Sequence, residues 1–129
     1  MISTYRKGAR LERRLKHLLE AHGIAVIRAA GSGNNSPDLA LIRAGRVVFV
    51  EVKYGKRYVD IKKLTDYFNW RVKTGAPLLF ITWIQKKGWV LEDILDLRRT
   101  ETGAVIGDHP PVSAQDLVER LLAYFPETP

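Results

Sequence analysis

The chain has 129 residues, no cysteine and a formal charge of +7 at neutral pH. That length suits one domain, residues 1–129, and the absence of cysteine excludes both a disulfide framework and a thiolate metal centre, which fits an intracellular protein. No apolar run approaches the roughly 18–20 residues of a membrane span and no signal peptide opens the chain, so the expectation is a cytoplasmic protein with no membrane partner.

The charge is unevenly placed. Residues 1–64 hold 14 Lys and Arg against 5 Asp and Glu, a net +9, while residues 65–129 hold 7 against 9, a net −2. Such asymmetry points to a polyanion on one side of the molecule, most simply nucleic acid.

In chain order, Ser3 or Thr4 caps a helix running to about His22. Leu11, Leu15, Leu18 and Leu19 fall at the spacings of one helical face, and Arg6, Lys7, Arg10, Arg13, Arg14 and Lys16 crowd the remainder. Glu12 borders the apolar stripe. Its carboxylate is either drawn toward the sheet or paired with Lys16 at i,i+4, which is worth only about 0.2–0.5 kcal/mol. Gly23 ends the helix, and residues 24–28 read as a first strand. Residues 31–37, Gly-Ser-Gly-Asn-Asn-Ser-Pro, form a loop with backbone freedom. A Walker pattern is absent there, and Ser32 is either a donor to a phosphate oxygen or an ordinary solvated serine.

Two apolar runs follow, residues 39–42 and 47–53, joined by a turn at 43–46. Side chains alternate along a strand, so Val48, Val50 and Val52 share one face, and Phe49, Glu51 and Lys53 the other. If the runs pair as a hairpin, Asp38 returns to lie near Glu51 and Lys53. An acid followed by Glu-x-Lys at the end of a core strand suits metal-dependent phosphodiester hydrolysis. Two carboxylates hold hard, oxygen-seeking Mg²⁺ (or Mn²⁺), and a lysine orients or deprotonates water or neutralises developing charge. The plainer account is a solvated Glu–Lys pair at a strand end.

Residues 54–58 read as a basic connector carrying Lys56 and Arg57. Asp60 caps a helix to Lys73 with Ile61, Leu64, Phe68 and Val72 on one face. Residues 78–84 form a buried strand, 85–88 a turn and 89–91 the returning strand. Residues 97–111 show no periodicity and read as a loop. Ser113, with Asp116 three positions on, opens a last amphipathic helix through Tyr124. The three histidines are scattered without metal-ligand spacing.

Tyr5-Arg6-Lys7-Gly8-Ala9 with Glu12-Arg13, then Ala30-Gly31-Ser32, Pro37-Asp38-Leu39 and Glu51-Val52-Lys53, taken in this order and at these spacings, resemble the archaeal-type Holliday junction resolvases, Hjc and its relative Hje. The resemblance covers about the first 55 residues closely and the element order to about residue 95. It implies an α/β, restriction-endonuclease-like fold of the PD-(D/E)xK nucleases, a central mixed β-sheet flanked by helices. By position, Glu12, Asp38 and Glu51 correspond to the family's metal-site acids, Lys53 to its catalytic lysine and Ser32 to a catalytic loop serine. Arg13 and Arg28 match basic positions implicated in DNA binding, and with Arg6, Lys7, Arg10, Lys56 and Arg57 they make up the expected DNA-contacting set.

The implied activity is paired, symmetric nicking of four-way junctions by a homodimer, leaving 5′-phosphate and 3′-hydroxyl ends. Two other readings share these residues. One is a related nuclease acting on flaps or duplex DNA; the other is a non-catalytic DNA-binding paralogue, whose signature would be loss of one of the four site residues. Phe68, Trp70, Trp83, Trp89, Leu91 and Ile94 exceed what one face of a small sheet is expected to hide. The dimer interface is therefore expected in the second half, around residues 78–91.

Overall fold

The computed structural model describes residues 4–29 and 36–127. Its first organising unit is a two-stranded hairpin. Strands β2 (Leu39–Arg43) and β3 (Arg46–Tyr54) pair antiparallel with Arg43 opposite Arg46, leaving a two-residue turn of Ala44 and Gly45. Both turn residues have positive φ, 52° and 77°, as the tight hairpin turns that match strand twist require. β1 (Ala25–Arg28) adds antiparallel to the free edge of β2. On the other side β3 runs parallel to β5 (Leu78–Ile84), which pairs antiparallel with β6 (Gly88–Asp93). The result is a five-stranded mixed sheet in the order β1-β2-β3-β5-β6.

Helices cover both faces. Helix α1 (Thr4–Glu20) buries Leu11, Leu15 and Leu19 against Val26, Leu39, Leu41, Val48 and Val50, and α3 (Ala114–Leu122) adds Leu117, Val118 and Leu121 to the same core. The opposite face holds a second core. Helix α2 (Ile61–Thr74) contributes Leu64 and Tyr67, which pack with Leu78, Phe80, Ile94 and Ile106. Asp60 caps α2 by accepting from the Lys63 N–H, and Gly75 ends it in the left-handed region at φ 69°. Among the described residues no helix is long and apolar enough to cross a membrane.

The fold departs from the sequence reading in five places. Residues 54–58 are not merely a connector, because β4 (Arg57–Asp60) leads into α2. Residues 97–111 are not a loop: β7 (Arg98–Thr100) and β8 (Gly103–Ile106) join β4 in a small sheet of order β4-β8-β7. Strands of three and four residues are too short to display a two-residue period, and β7 is exposed throughout. The buried face of α2 is Leu64 and Tyr67, not Ile61 and Val72, which are 47% and 80% exposed. Finally, Trp89 is fully buried and Trp83 half-buried, stacked edge to face with centroids 5.0 Å apart. Within the expected interface around residues 78–91, β5 is flanked on both sides and Trp89 is spent in the monomer core, while β6 is the edge of the sheet and Trp83 and Leu91 stay partly exposed. Helix α1 also ends at Glu20, two residues earlier than expected, and Ser3 lies outside the described residues.

A buried carboxylate ties the small sheet to the large one. Glu92, on β6, accepts from the Gly107 N–H at 2.7 Å and the Asp108 N–H at 3.3 Å, and lies 2.6 Å from His109 Nδ1. One of the scattered histidines thus has a structural partner 17 residues away.

The β4–β8 contact is tight at Gly103, where an added Cβ would sit 2.0 Å from the Val59 carbonyl oxygen and 2.9 Å from Asp60 Cα. Both are backbone atoms and neither can rotate away. Gly103→Ala should therefore destabilise the protein by about 1–3 kcal/mol, the usual cost of overpacking. Denaturant unfolding with an unchanged midpoint would contradict this.

Candidate active site

The Asp38 and Glu51 carboxylates are held by an exchange of hydrogen bonds across the hairpin. Leu39 pairs with Val50, so the register carried back one residue sets Asp38 opposite Glu51. The Asp38 N–H donates to Glu51 Oε1 at 2.9 Å, and the Val52 N–H donates to Asp38 Oδ2 at 2.8 Å. Each acid is thus fixed by the other strand's backbone. Glu51 Oε2 accepts from the Tyr67 hydroxyl at 2.6 Å, and Lys53 Nζ lies 3.5 Å from the same oxygen. Tyr67 is itself set by an edge-to-face contact with Phe80, centroids 5.2 Å apart.

The electrostatics are those of crowded, half-dry acids. Burial raises the Glu51 pKa above 4.5, and the Asp38 charge raises it further against the opposing pull of Lys53. Burial and the Glu51 carboxylate push the Tyr67 phenol well up, so it stays a neutral donor. Glu12 comes from α1 and pairs with Arg28, whose Nε and Nη2 both lie 3.3 Å from its Oε1. Burial raises its pKa first and Asp38 second, so the Asp38 charge bears on both Glu12 and Glu51. Arg28 shares the α1-side face of β1 with buried Val26, whereas Glu51 faces α2. Accordingly, among the described residues no group of three or more potential ligands is gathered around one point. Asp38 and Glu51 are hard oxygen donors with a surplus of negative charge, a chemistry that fits Mg²⁺ or Mn²⁺.

The sequence matches the family model for the archaeal Holliday junction resolvase (Hjc) over residues 3–125. This chain belongs to that family. It is 30% identical over 131 residues to the crossover junction endodeoxyribonuclease Hjc of Sulfolobus acidocaldarius, covering 95% of this chain and 91% of the relative. The Hjc of Methanocaldococcus jannaschii is 33% identical over 133 residues, covering 88% and 97%. The solved structure of Archaeoglobus fulgidus Hjc, a Holliday junction resolvase, superimposes with a TM-score of 0.69 at 25% identity, covering 78% of this chain and 88% of that one. The α/β, restriction-endonuclease-like architecture agrees with that match.

Of the expected site residues in this Hjc-family chain, the fold brings Asp38, Glu51 and Lys53 together and sets Glu12 beside them in the Arg28 ion pair. Ser32 and the side chain of Arg6 lie outside the described residues. The expected DNA-contacting residues divide. Arg13 is exposed, and Lys7 and Arg10 line a cleft beside α1. Arg28 is engaged by Glu12; Lys56 pairs with Asp108 at 2.8 Å; Arg57 donates to the Tyr54 carbonyl. The sequence reading missed Tyr67. Its signal was present, three residues after Leu64 on one helical face, but Phe68 at i+4 offered an equally regular stripe.

The raised pKa of Glu51 makes a signed prediction. The folded state holds this proton more tightly than the unfolded chain, whose carboxyl titrates near 4.5, so stability falls as pH rises through and above that value. Glu51→Gln keeps an acceptor for Asp38 N–H and removes the charge. Without divalent cations it should melt at a higher temperature than the wild type at neutral pH, the advantage vanishing as pH falls toward 4.5. Melts in chelator across that range test this; an equal or lower neutral-pH melting temperature for the variant would refute it.

Proposed function

We infer that Asp38, Glu51 and Lys53 form the hydrolytic centre of a DNA endonuclease that resolves four-way junctions. The activity follows from membership of the Hjc family, and the assignment of residues rests on one observation: two carboxylates locked by reciprocal backbone bonds, with a lysine 3.5 Å from one of them. Asp38 and Glu51 would hold Mg²⁺, or Mn²⁺ in its place. That cation supplies charge neutralisation at the scissile phosphate and lowers the pKa of an attacking water. Glu51, pinned by Tyr67 and the Asp38 N–H, keeps its carboxylate plane fixed. Lys53 steers the water or balances the charge that develops on the phosphate. Glu12, paired with Arg28 on the α1 side, would act on the ion only at longer range, through its charge next to Asp38.

A junction is resolved by cuts in two strands, so we further infer a homodimer with one site per protomer. Its interface is best supplied by α2 and β4, in place of the 78–91 strand pair. Ile61 and Val72, with half-buried Phe68 between them, line one side of α2, and Tyr58 on β4 is 46% exposed. Large side chains so exposed are enriched at subunit contacts. Lys7, Arg10 and Arg13 on α1 then remain exposed for DNA, in the cytoplasm where that substrate lies.

Asp38→Ala and Glu51→Ala should abolish cleavage of a four-way junction while leaving its binding intact, since each removes negative charge facing DNA. Lys53→Ala should lower the rate by about 10²–10⁴. A panel of mobile and fixed junctions, flaps and linear duplex, with Mg²⁺ and with chelator, tests both residues and substrate. Near wild-type cutting by either acid variant overturns the site, and preferential cutting of flaps or duplex favours the alternative nuclease reading. For the dimer, sedimentation at micromolar concentration should show two chains per particle, and Val72→Asp with Ile61→Asp should separate them. A wild-type monomer would contradict the paired-cut arrangement.

A further inference from the structure

On the side of β3 opposite Glu51 and Lys53, at the same strand end, lies a cleft of about 260 Å³. One wall is a single face of α1, Lys7, Arg10, Leu11 and Arg14 at i, i+3, i+4 and i+7; the other is Tyr54 and Trp83. Those two aromatics are register partners at the carboxyl ends of the parallel strands β3 and β5. Tyr54 directly follows Lys53 in the chain, so its ring emerges one residue from the catalytic lysine on the reverse face.

Two properties of this cleft are unusual for an ordinary solvated surface. First, it gathers three cations and no acid: among the described residues none of Lys7, Arg10 and Arg14 takes part in an ion pair. Second, two of these exposed cations lie over rings. Lys7 Nζ is 5.2 Å from the Tyr54 centroid and the Arg14 guanidinium 4.2 Å from that of Trp83. Cations combined with half-buried aromatic rings are the means by which proteins hold single-stranded nucleic acid, phosphate on charge and base on ring.

We propose that this cleft holds one unpaired nucleotide of branched DNA, its phosphate between Lys7 and Arg10 and its base against Tyr54 and Arg14. The proposal rests on the DNA-nuclease reading above. The volume is below the roughly 300–1,000 Å³ of sites for drug-sized ligands and has no room for a base pair. Bases at a branch point have lost part of their stacking and are the least costly to draw out of a helix. A strand running over the end of β3 would thus offer its backbone to Asp38, Glu51 and Lys53 on one side and a neighbouring base to the cleft on the other. Branch recognition by this route reads the presence of a free base, not its identity.

The test is binding in chelator, where nothing is cut, by fluorescence anisotropy. Probes are a linear duplex, that duplex with one bulged thymidine, the same duplex with the bulged residue abasic, and a four-way junction. The wild type should bind the thymidine bulge about tenfold more tightly than the abasic one, the loss expected when one base–aromatic stack is removed. Tyr54→Leu should erase that difference and bind intact duplex as the wild type does. The two bulges bound alike by wild-type protein would overturn the proposal, and this comparison needs no variant to fold. Equal weakening of every DNA in Tyr54→Leu would also overturn it, in favour of a plain backbone groove. A wild type that does not prefer the junction to linear duplex would defeat the junction reading, leaving the nucleotide cleft to be decided by the bulge pair.

Discussion

The burial of the Glu51 carboxylate is the constraint from which the remaining geometry follows. An ion taken out of water loses solvation worth several kcal/mol, and it persists only where donors replace the lost water. Three elements supply them here. The hairpin gives the Asp38 N–H, α2 gives the Tyr67 hydroxyl, and the strand itself brings Lys53 back to within 3.5 Å. These do not cancel the charge, because Asp38 brings another carboxylate and the Glu51 pKa stays raised. The remaining negative potential is what a divalent cation would relieve, and that cation would then draw in a phosphate. Stability has been traded for that potential, as it commonly is at functional sites.

How much of this was legible depends on whether the signal was local. Alternation along residues 47–53 assigns Glu51 and Lys53 to one face without any tertiary knowledge, and the two-residue turn then carries Asp38 back beside them. The α2 cap at Asp60 and the α3 cap at Ser113 were equally local and both are found. Tyr67 was not legible, since Leu64–Tyr67 and Leu64–Phe68 are both acceptable helical spacings and only the docked sheet selects between them. Glu12 was half legible: its place at the edge of the apolar stripe drew it inward, but its partner is Arg28, not Lys16, which pairs instead with Glu20 at 2.7 Å. Trp89 misled for the opposite reason. Its flanking turn suggested exposure, while the chain returning before α3 covers it through a backbone bridge to Val112.

The two faces of β3 divide labour along one strand. Val48 and Val50 do nothing but pack, and Phe49, Glu51 and Lys53 look toward α2 and the chemistry. Because the period is two residues, a slip of one position would send Glu51 into an apolar core and Val50 into the site. The tight Ala44–Gly45 turn, which fixes the register, is therefore as much a part of the proposed site as the acids themselves.

The small sheet has a consequence for how the protein comes into being. β4 precedes α2 directly, yet among the described residues its strand partner is β8, some 46 residues further on, with Arg57 opposite Ile106 and Asp60 opposite Gly103. On the ribosome, α1, the hairpin and α2 all emerge before the strand that clamps the start of α2 exists. Contacts of such sequence separation close late and slowly. A nascent chain thus carries both acids and the lysine well before Tyr67 can be held firmly against Glu51, and the site matures only when residues 103–106 arrive.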